Sequence, residues 1–231
     1  MELKILDIIK HKEINKEVHM SETDFDIIDI NDLADCLVKN VKDDMKTFID
    51  LVNLDASLNR EVYLYDIEAG TGPDVEGYIR FWNDYDEKHN IPVEERKPIK
   101  LYIDSNGGYL GDTFTIVDAI KMSKTPVWTI CMGAAYSGGF FCFISGHKRF
   151  AYPHASFLFH EGSTSNGGTS SQFENYTAFY KRQLGQLKDI VINNSKITEE
   201  EYNNIRKDDV WYDVNDGIEK GFIDEIVKEF I

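Results

Sequence analysis

Twice in the middle of the chain an apolar run of strand length ends at a glycine pair and passes into a segment of helical character. The first is "PIKLYIDSNGG" followed by "DTFTIVDAIKMS", and the second is "VWTICMGAAYSGG" followed by "FFCFIS", with Pro126 between them. Strand, helix, strand, helix in that order permits few folds. It calls for right-handed crossovers and a parallel sheet covered by helices, so the fold class is α/β. In open sheets of this kind chemistry collects beyond the carboxyl ends of the strands, and both glycine pairs, Gly107-Gly108 and Gly138-Gly139, fall at such ends.

The flanking segments fit the same plan. "REVYLYDIEAGTGP" reads as a strand and a turn. "DVEGYIRFWNDYDEK" places Val75, Tyr78, Ile79 and Trp82 on one helical face, and Phe114, Val117 and Ile120 recur at helical spacing in the next helix. Two short strands are expected around Pro153. A long helix follows, with Phe173, Tyr176, Tyr180, Leu184, Leu187 and Val191 along a stripe. Thr198 with Glu201 three places on has the form of a capping box. "DVNDGIEKGFIDEIV" predicts a short helix stopped by Gly221 and a closing strand.

At 231 residues the chain has room for one sizeable core and an appendage, and 42% hydrophobic residues exclude a disordered chain. We read residues 1–59, rich in Asp, Glu and Lys and free of Gly and Pro, as an acidic N-terminal extension in which "DLADCLVKNVKDDMKTFIDL" is compatible with an amphipathic helix. Residues 60–231 form the folded domain. A net charge of −16 argues against nucleic acid and anionic membranes as partners. Cys36, Cys131 and Cys142 lack metal-ligand spacing and read as buried thiols of a reducing compartment. No signal-peptide or membrane-spanning run is expected, which points to a cytoplasmic protein.

The chemistry concentrates at Ser137. It stands at the turn between strand and helix, where unpaired backbone N–H groups and the helix dipole favour negative charge, and Gly138 and Gly139 let a carbonyl approach the backbone. Taken alone the residue is equally a helix N-cap, and Ala135 departs from the G-x-S-x-G elbow. His160 ends the apolar run "SFLF" and is the candidate base, or else a core histidine. The remaining histidines, His11, His19, His89, His147 and His154, read as solvated surface. A carboxylate orienting the imidazole is available in Asp208 or Asp209, which the aromatic pair Trp211-Tyr212 is placed to bury. Spacing alone does not choose between them.

Taken together and in order, "LYIDSNGGYLGDTFTIVDAI", "VWTICMGAAYSGGFF", "KRFAYPHASFLFHEG" and "DDVWYDVNDGIEKGFID" resemble the proteolytic subunits of the Clp protease, the ClpP family, over about residues 60–227. The resemblance implies a crotonase-like stack of β-α units with a protruding handle, a helix and adjoining strand at about 162–194. It makes Ser137 the nucleophile and His160 the general base. Counted back from Gly221, the third triad residue is Asp209, with Asp208 its competitor. The oxyanion hole maps to the backbone amides of Gly108 and Gly138, and an extended substrate to the segments at Tyr109 and Gly162.

It further implies unfolded polypeptide substrates cut to short peptides, a homo-oligomeric ring or double ring, an ATP-dependent unfoldase as partner, and no metal or organic cofactor. The family's "SPGG" is "SNGG" here, and the N-terminal extension is longer than expected. Two rival readings are a crotonase-type acyl-CoA enzyme on the same fold and a non-catalytic ring subunit.

Overall fold

A computed structural model describes residues 56–231. The expected helix within residues 32–51 lies outside them, as do His11, His19 and Cys36. Among the described residues seven strands form one sheet, with β1 (Glu61–Leu64), β2 (Ile99–Ser105), β3 (Val127–Tyr136), β4 (Lys148–Ala151) and β7 (Glu225–Ile226) in spatial order. β5 (Ser156–Phe159) pairs with β3, and β6 (Val210–Tyr212) pairs with β5. The β2-β3, β3-β4, β3-β5 and β4-β7 ladders are parallel, while β5-β6 is antiparallel. The helices α1 (Thr71–Lys88), α2 (Leu110–Met122), α3 (Gly138–Ile144), α4 (Ser170–Asn193), α5 (Glu199–Ile205) and α6 (Val214–Glu219) alternate with the strands, except that β4 and β5 are consecutive, as are α4 and α5. This is the expected α/β class.

β3 changes neighbours along its length: Trp128 to Cys131 pair with β4, and Ala134 to Tyr136 pair with β5. An irregularity in the β2-β3 register between Ile103 and Ser105 accompanies the change. There the Asp104 carboxylate accepts from the Ala134 N–H at 3.0 Å, and the missing Cβ of Gly133, which would lie 2.9 Å from that oxygen, leaves it room. The irregularity sits just before Gly107-Gly108, so it turns the end of β2 toward the end of β3.

The four apolar positions expected on α1, Val75, Tyr78, Ile79 and Trp82, are all buried. On α2 the buried face is Thr113, Ile116, Val117 and Ile120, with Phe114 only half-buried at its margin. The sequence stripe was therefore displaced, because Thr113 is polar and yet turned inward, its hydroxyl donating to the Tyr109 carbonyl at 3.0 Å. On α4 the stripe is covered only at Leu187 and Val191, and Phe173 remains exposed. That helix starts with a capping box of Thr169 and Gln172. Thr169→Ala is expected to cost about 1 kcal/mol of helix stability, read as faster amide exchange in the first turn of α4.

Every residue of α3 is buried. Phe140 meets Phe159 and Phe222 edge-on, with centroids 6.1 and 5.3 Å apart, and Phe157 meets Phe222 at 5.3 Å. Aromatic side chains thus lock α3 to β5 and to the segment after α6. The C-terminal strand is tied in by Arg149, whose Nε and Nη2 donate to the Asp224 carboxylate at 2.9 and 2.6 Å.

Hydrogen bonding from Arg149 holds the Asp224 carboxyl below its ordinary pKa. A depressed folded-state value contributes stability at pH above the unfolded-state value, and that contribution disappears as pH falls through the folded one. Asp224→Asn is therefore expected to destabilise the chain at neutral pH, with the difference from wild type shrinking in acid. Urea unfolding across pH checks this. Among the described residues no helix is long and apolar enough to cross a membrane.

Candidate active site

The sheet brings its functional ends together over one open cleft of about 880 Å³, lined by Gly107, Gly108, Tyr109, Ser137, Gly138, His160 and Gly162 among others. Ser137 follows β3 directly and occupies the N-cap position of α3, with φ 52° and ψ −119°. A left-handed φ costs a non-glycine residue on the order of 1–3 kcal/mol and persists only where the surroundings enforce it. Here the Ser137 N–H donates to the Leu158 carbonyl at 2.9 Å, and the Ser137 carbonyl accepts from the Phe140 N–H at 3.0 Å. The side chain makes no capping hydrogen bond. The N-cap alternative therefore fails: Ser137 holds the capping position and leaves its hydroxyl to the cleft.

Two amides converge beside it. Ile67 forms an isolated bridge with Gly108, using the Gly107 carbonyl and the Tyr109 N–H, each at 2.8 Å. That pairing leaves the Gly108 N–H outside the ladder. Gly138 is the first residue of α3, so its N–H has no intrahelical acceptor. A Cβ built on Gly138 would lie 3.4 Å from the Gly108 nitrogen, so the two glycines are close neighbours in space.

His160 follows β5, and its Nδ1 lies 3.7 Å from Asp209 Oδ1. This is an ion-pair distance rather than a hydrogen bond. Among the described residues no hydrogen bond joins Ser137 to His160. Asp209 precedes β6 with its side chain 67% exposed, and Trp211 is 58% exposed, so the expected burial of the carboxylate by the aromatic pair is not found. The reason lies in β6, an edge strand whose alternation turns Tyr212 inward and Trp211 outward, where it meets Tyr136 edge-on at 5.1 Å. Asp208 makes a turn at the end of α5, its N–H donating to the Ile205 carbonyl at 3.1 Å.

Of the other histidines, His89 and His154 are exposed. His147 is exposed as well, in keeping with the surface reading, although its Nδ1 accepts from the Val127 N–H at 3.0 Å and partial desolvation lowers its pKa. Cys131 and Cys142 are buried, and desolvation pushes both thiols upward. The Thr198 side chain accepts from the Glu201 N–H, but Glu201 pairs with Lys220 at 2.8 Å, so the reciprocal half of the expected capping box is missing.

One residue beyond His160, Glu161 forms an ion pair with Arg206 at 2.7 Å that sequence reasoning missed. No spacing rule links residues so far apart. Among the described residues no group of three or more His, Cys, Asp or Glu side chains is arranged to hold a metal ion.

The Clp protease family matches residues 92–230. This chain belongs to the Clp protease family. The ATP-dependent Clp protease proteolytic subunit of Streptococcus mutans is 35% identical over 141 residues, covering 58% of this chain and 71% of that protein. The corresponding subunit of Lactococcus lactis is 32% identical over 139 residues, 58% and 70% of the two chains. Proteolytic subunit 2 of Treponema pallidum is 26% identical over 135 residues, 58% and 68%. Membership in the Clp protease family brings with it the reaction class of a serine peptidase, a hydrolase. The family match begins at Pro92.

Proposed function

We propose that this chain is a serine endopeptidase that cuts unfolded polypeptides to short peptides inside a homo-oligomeric chamber, fed by an ATP-dependent unfoldase. Ser137 is the nucleophile, His160 the general base, Asp209 the carboxylate that orients the imidazole, and the Gly108 and Gly138 amides form the oxyanion hole. The observation that carries the reading is the strained, uncapping Ser137, set beside two unspent amides in the cleft that also holds His160.

In the reaction His160 takes the Ser137 proton as Oγ attacks the scissile carbonyl. The electron pair displaced onto the carbonyl oxygen is held by the two N–H groups. The imidazolium, steadied by Asp209, passes its proton to the leaving amine, and water repeats the sequence on the acyl ester. The 3.7 Å between His160 and Asp209 shortens in the reacting complex, as catalytic hydrogen bonds commonly do once substrate is bound. The peptide lies extended between the segment after Gly108, including Tyr109, and the segment at Gly162, through main-chain pairing that asks little of its side chains.

The acyl-CoA reading fares worse, since the charged side chains lining the cleft are Asp66, Glu68 and Glu161, a poor reception for a polyphosphorylated ligand. The test is to treat the native assembly with a fluorophosphonate probe, map the modified residue, and assay a fluorogenic peptide. Labelling at Ser137 with parallel loss of peptidase activity is expected. Labelling elsewhere, or hydrolysis that survives complete labelling of Ser137, would overturn the assignment.

A further inference from the structure

Asp209 is a weakly held residue for the role proposed above. Its side chain is largely exposed, and among the described residues His160 is its one ion-pair partner, at 3.7 Å. Whatever fixes its position must therefore act through the backbone that carries it, the short stretch between α5 and β6.

The β5-β6 ladder sets Val210, next to Asp209, opposite Phe159, and beyond the ladder the stretch is tied to the end of β5 at two points. In the core, Tyr202 of α5 packs on Phe159 with ring centroids 5.4 Å apart. Above it, Arg206 Nη1 donates to Glu161 Oε1 at 2.7 Å. Phe159, His160 and Glu161 are consecutive. Tyr202 and Arg206 are one turn apart, the Arg206 N–H donating to the Tyr202 carbonyl at 2.9 Å, and Asp209 follows three residues later. Glu161 is itself anchored, because Tyr180 of α4 donates its hydroxyl to the Glu161 carbonyl at 3.3 Å. Its carboxylate side chain is 19% exposed and Arg206 is 37% exposed, so the pair is more sheltered than an ordinary surface contact.

We propose that Glu161 and Arg206 are positioning residues: their ion pair clamps the β5 end bearing His160 to the loop bearing Asp209, and keeps the Arg206 guanidinium from competing for the Asp209 carboxylate. The inference rests on the triad reading and extends it. An arginine three residues from Asp209 is otherwise a natural partner for that carboxylate, better suited to pairing with it than a neutral imidazole is. Glu161 neutralises that competitor while using it as a strut.

The experiment compares Glu161→Gln, Arg206→Gln, the double variant, and the charge-swapped pair Glu161→Arg with Arg206→Glu. Each is assayed on a fluorogenic peptide, with kcat expressed per Ser137 titrated by the fluorophosphonate probe. Misplacement of a catalytic group costs up to about a hundredfold, so each single variant is expected to lose about ten- to a hundredfold in kcat with KM within about twofold. Residues acting as a unit are non-additive, so the double variant should be no worse than Glu161→Gln, and the swapped pair should regain much of the loss. Wild-type kcat in both single variants, a change confined to KM, or a double variant falling to the product of the two single losses would each overturn the proposal. A wild-type assembly that neither labels nor hydrolyses would sink the parent reading and this one with it. That failure is distinguishable because it shows before any variant is made.

Discussion

Peptide hydrolysis by Ser137→Ala is expected to fall by about 10⁶-fold in kcat, the loss typical when the nucleophile of a serine triad is removed. The fold should be untouched. The Ser137 hydroxyl makes no capping bond, so its removal orphans no partner, while the backbone bonds that impose φ 52° involve only the N–H and carbonyl of the residue and survive the change. Ser137→Gly sharpens the point. Glycine accepts the left-handed conformation at no steric cost, so this variant should be as inactive as Ser137→Ala and more stable than wild type by about 1 kcal/mol or somewhat more. A chain that becomes more stable when its serine is deleted stores strain for function. Urea midpoints of the three proteins, with peptidase assays alongside, provide the check. Equal stability of Ser137→Gly and wild type would mean that the elbow is not strained, and residual hydrolysis in Ser137→Ala above about a thousandth of wild type would mean that another group attacks.

How much of this was legible in the sequence depends on how local the determinant is. The helix face of Val75, Tyr78, Ile79 and Trp82 follows from one periodicity, and the structure buries all four. The strand ends at Gly107-Gly108 and Gly138-Gly139 follow from punctuation at short range. Phe114 misled because a buried hydroxyl, Thr113, found its acceptor one turn back and could take the inward position.

The determinants that escaped altogether are non-local. Whether Ser137 caps its helix depends in part on Leu158 of β5, whose carbonyl fixes the Ser137 N–H. Trp211 was expected to shield Asp209, but strand alternation on β6 sends it outward. The Glu161–Arg206 pair arises only once β5 and α5 pack together. Family resemblance supplied the candidates that composition could not select, since 41 acidic residues leave no statistical reason to single out one aspartate.

Gly108→Ala is expected to disable the site by a different route. The residue has φ 149°, and a Cβ there would lie 1.9 Å from the Ile67 carbonyl oxygen and 2.7 Å from its carbon. These are backbone atoms and cannot rotate aside. Ile67 is also held on both sides, by its own N–H to the Gly107 carbonyl and by the Tyr109 N–H to its carbonyl, each at 2.8 Å. The loop must therefore peel away, carrying the Gly108 amide out of register with Gly138.

Loss of one oxyanion donor costs about 10²–10³-fold in kcat, and a substitution against such backbone is expected to cost roughly 1–3 kcal/mol of stability besides. Two neighbours calibrate the effect. A Cβ on Gly138 meets first the Thr113 hydroxyl, at 2.5 Å, a side-chain atom whose displacement costs its bond to the Tyr109 carbonyl but no backbone shift, so Gly138→Ala should be milder and should recover further when Thr113 is also replaced by Ala. A Cβ on Gly111 meets nothing within 4 Å, and Gly111→Ala, inside α2, should leave kcat unchanged and raise stability by up to about 1 kcal/mol. Were Gly108→Ala to retain wild-type kcat per titrated serine, the Gly108 amide would not be an oxyanion donor, and stabilisation of the intermediate would have to come from Gly138 with another group of the cleft.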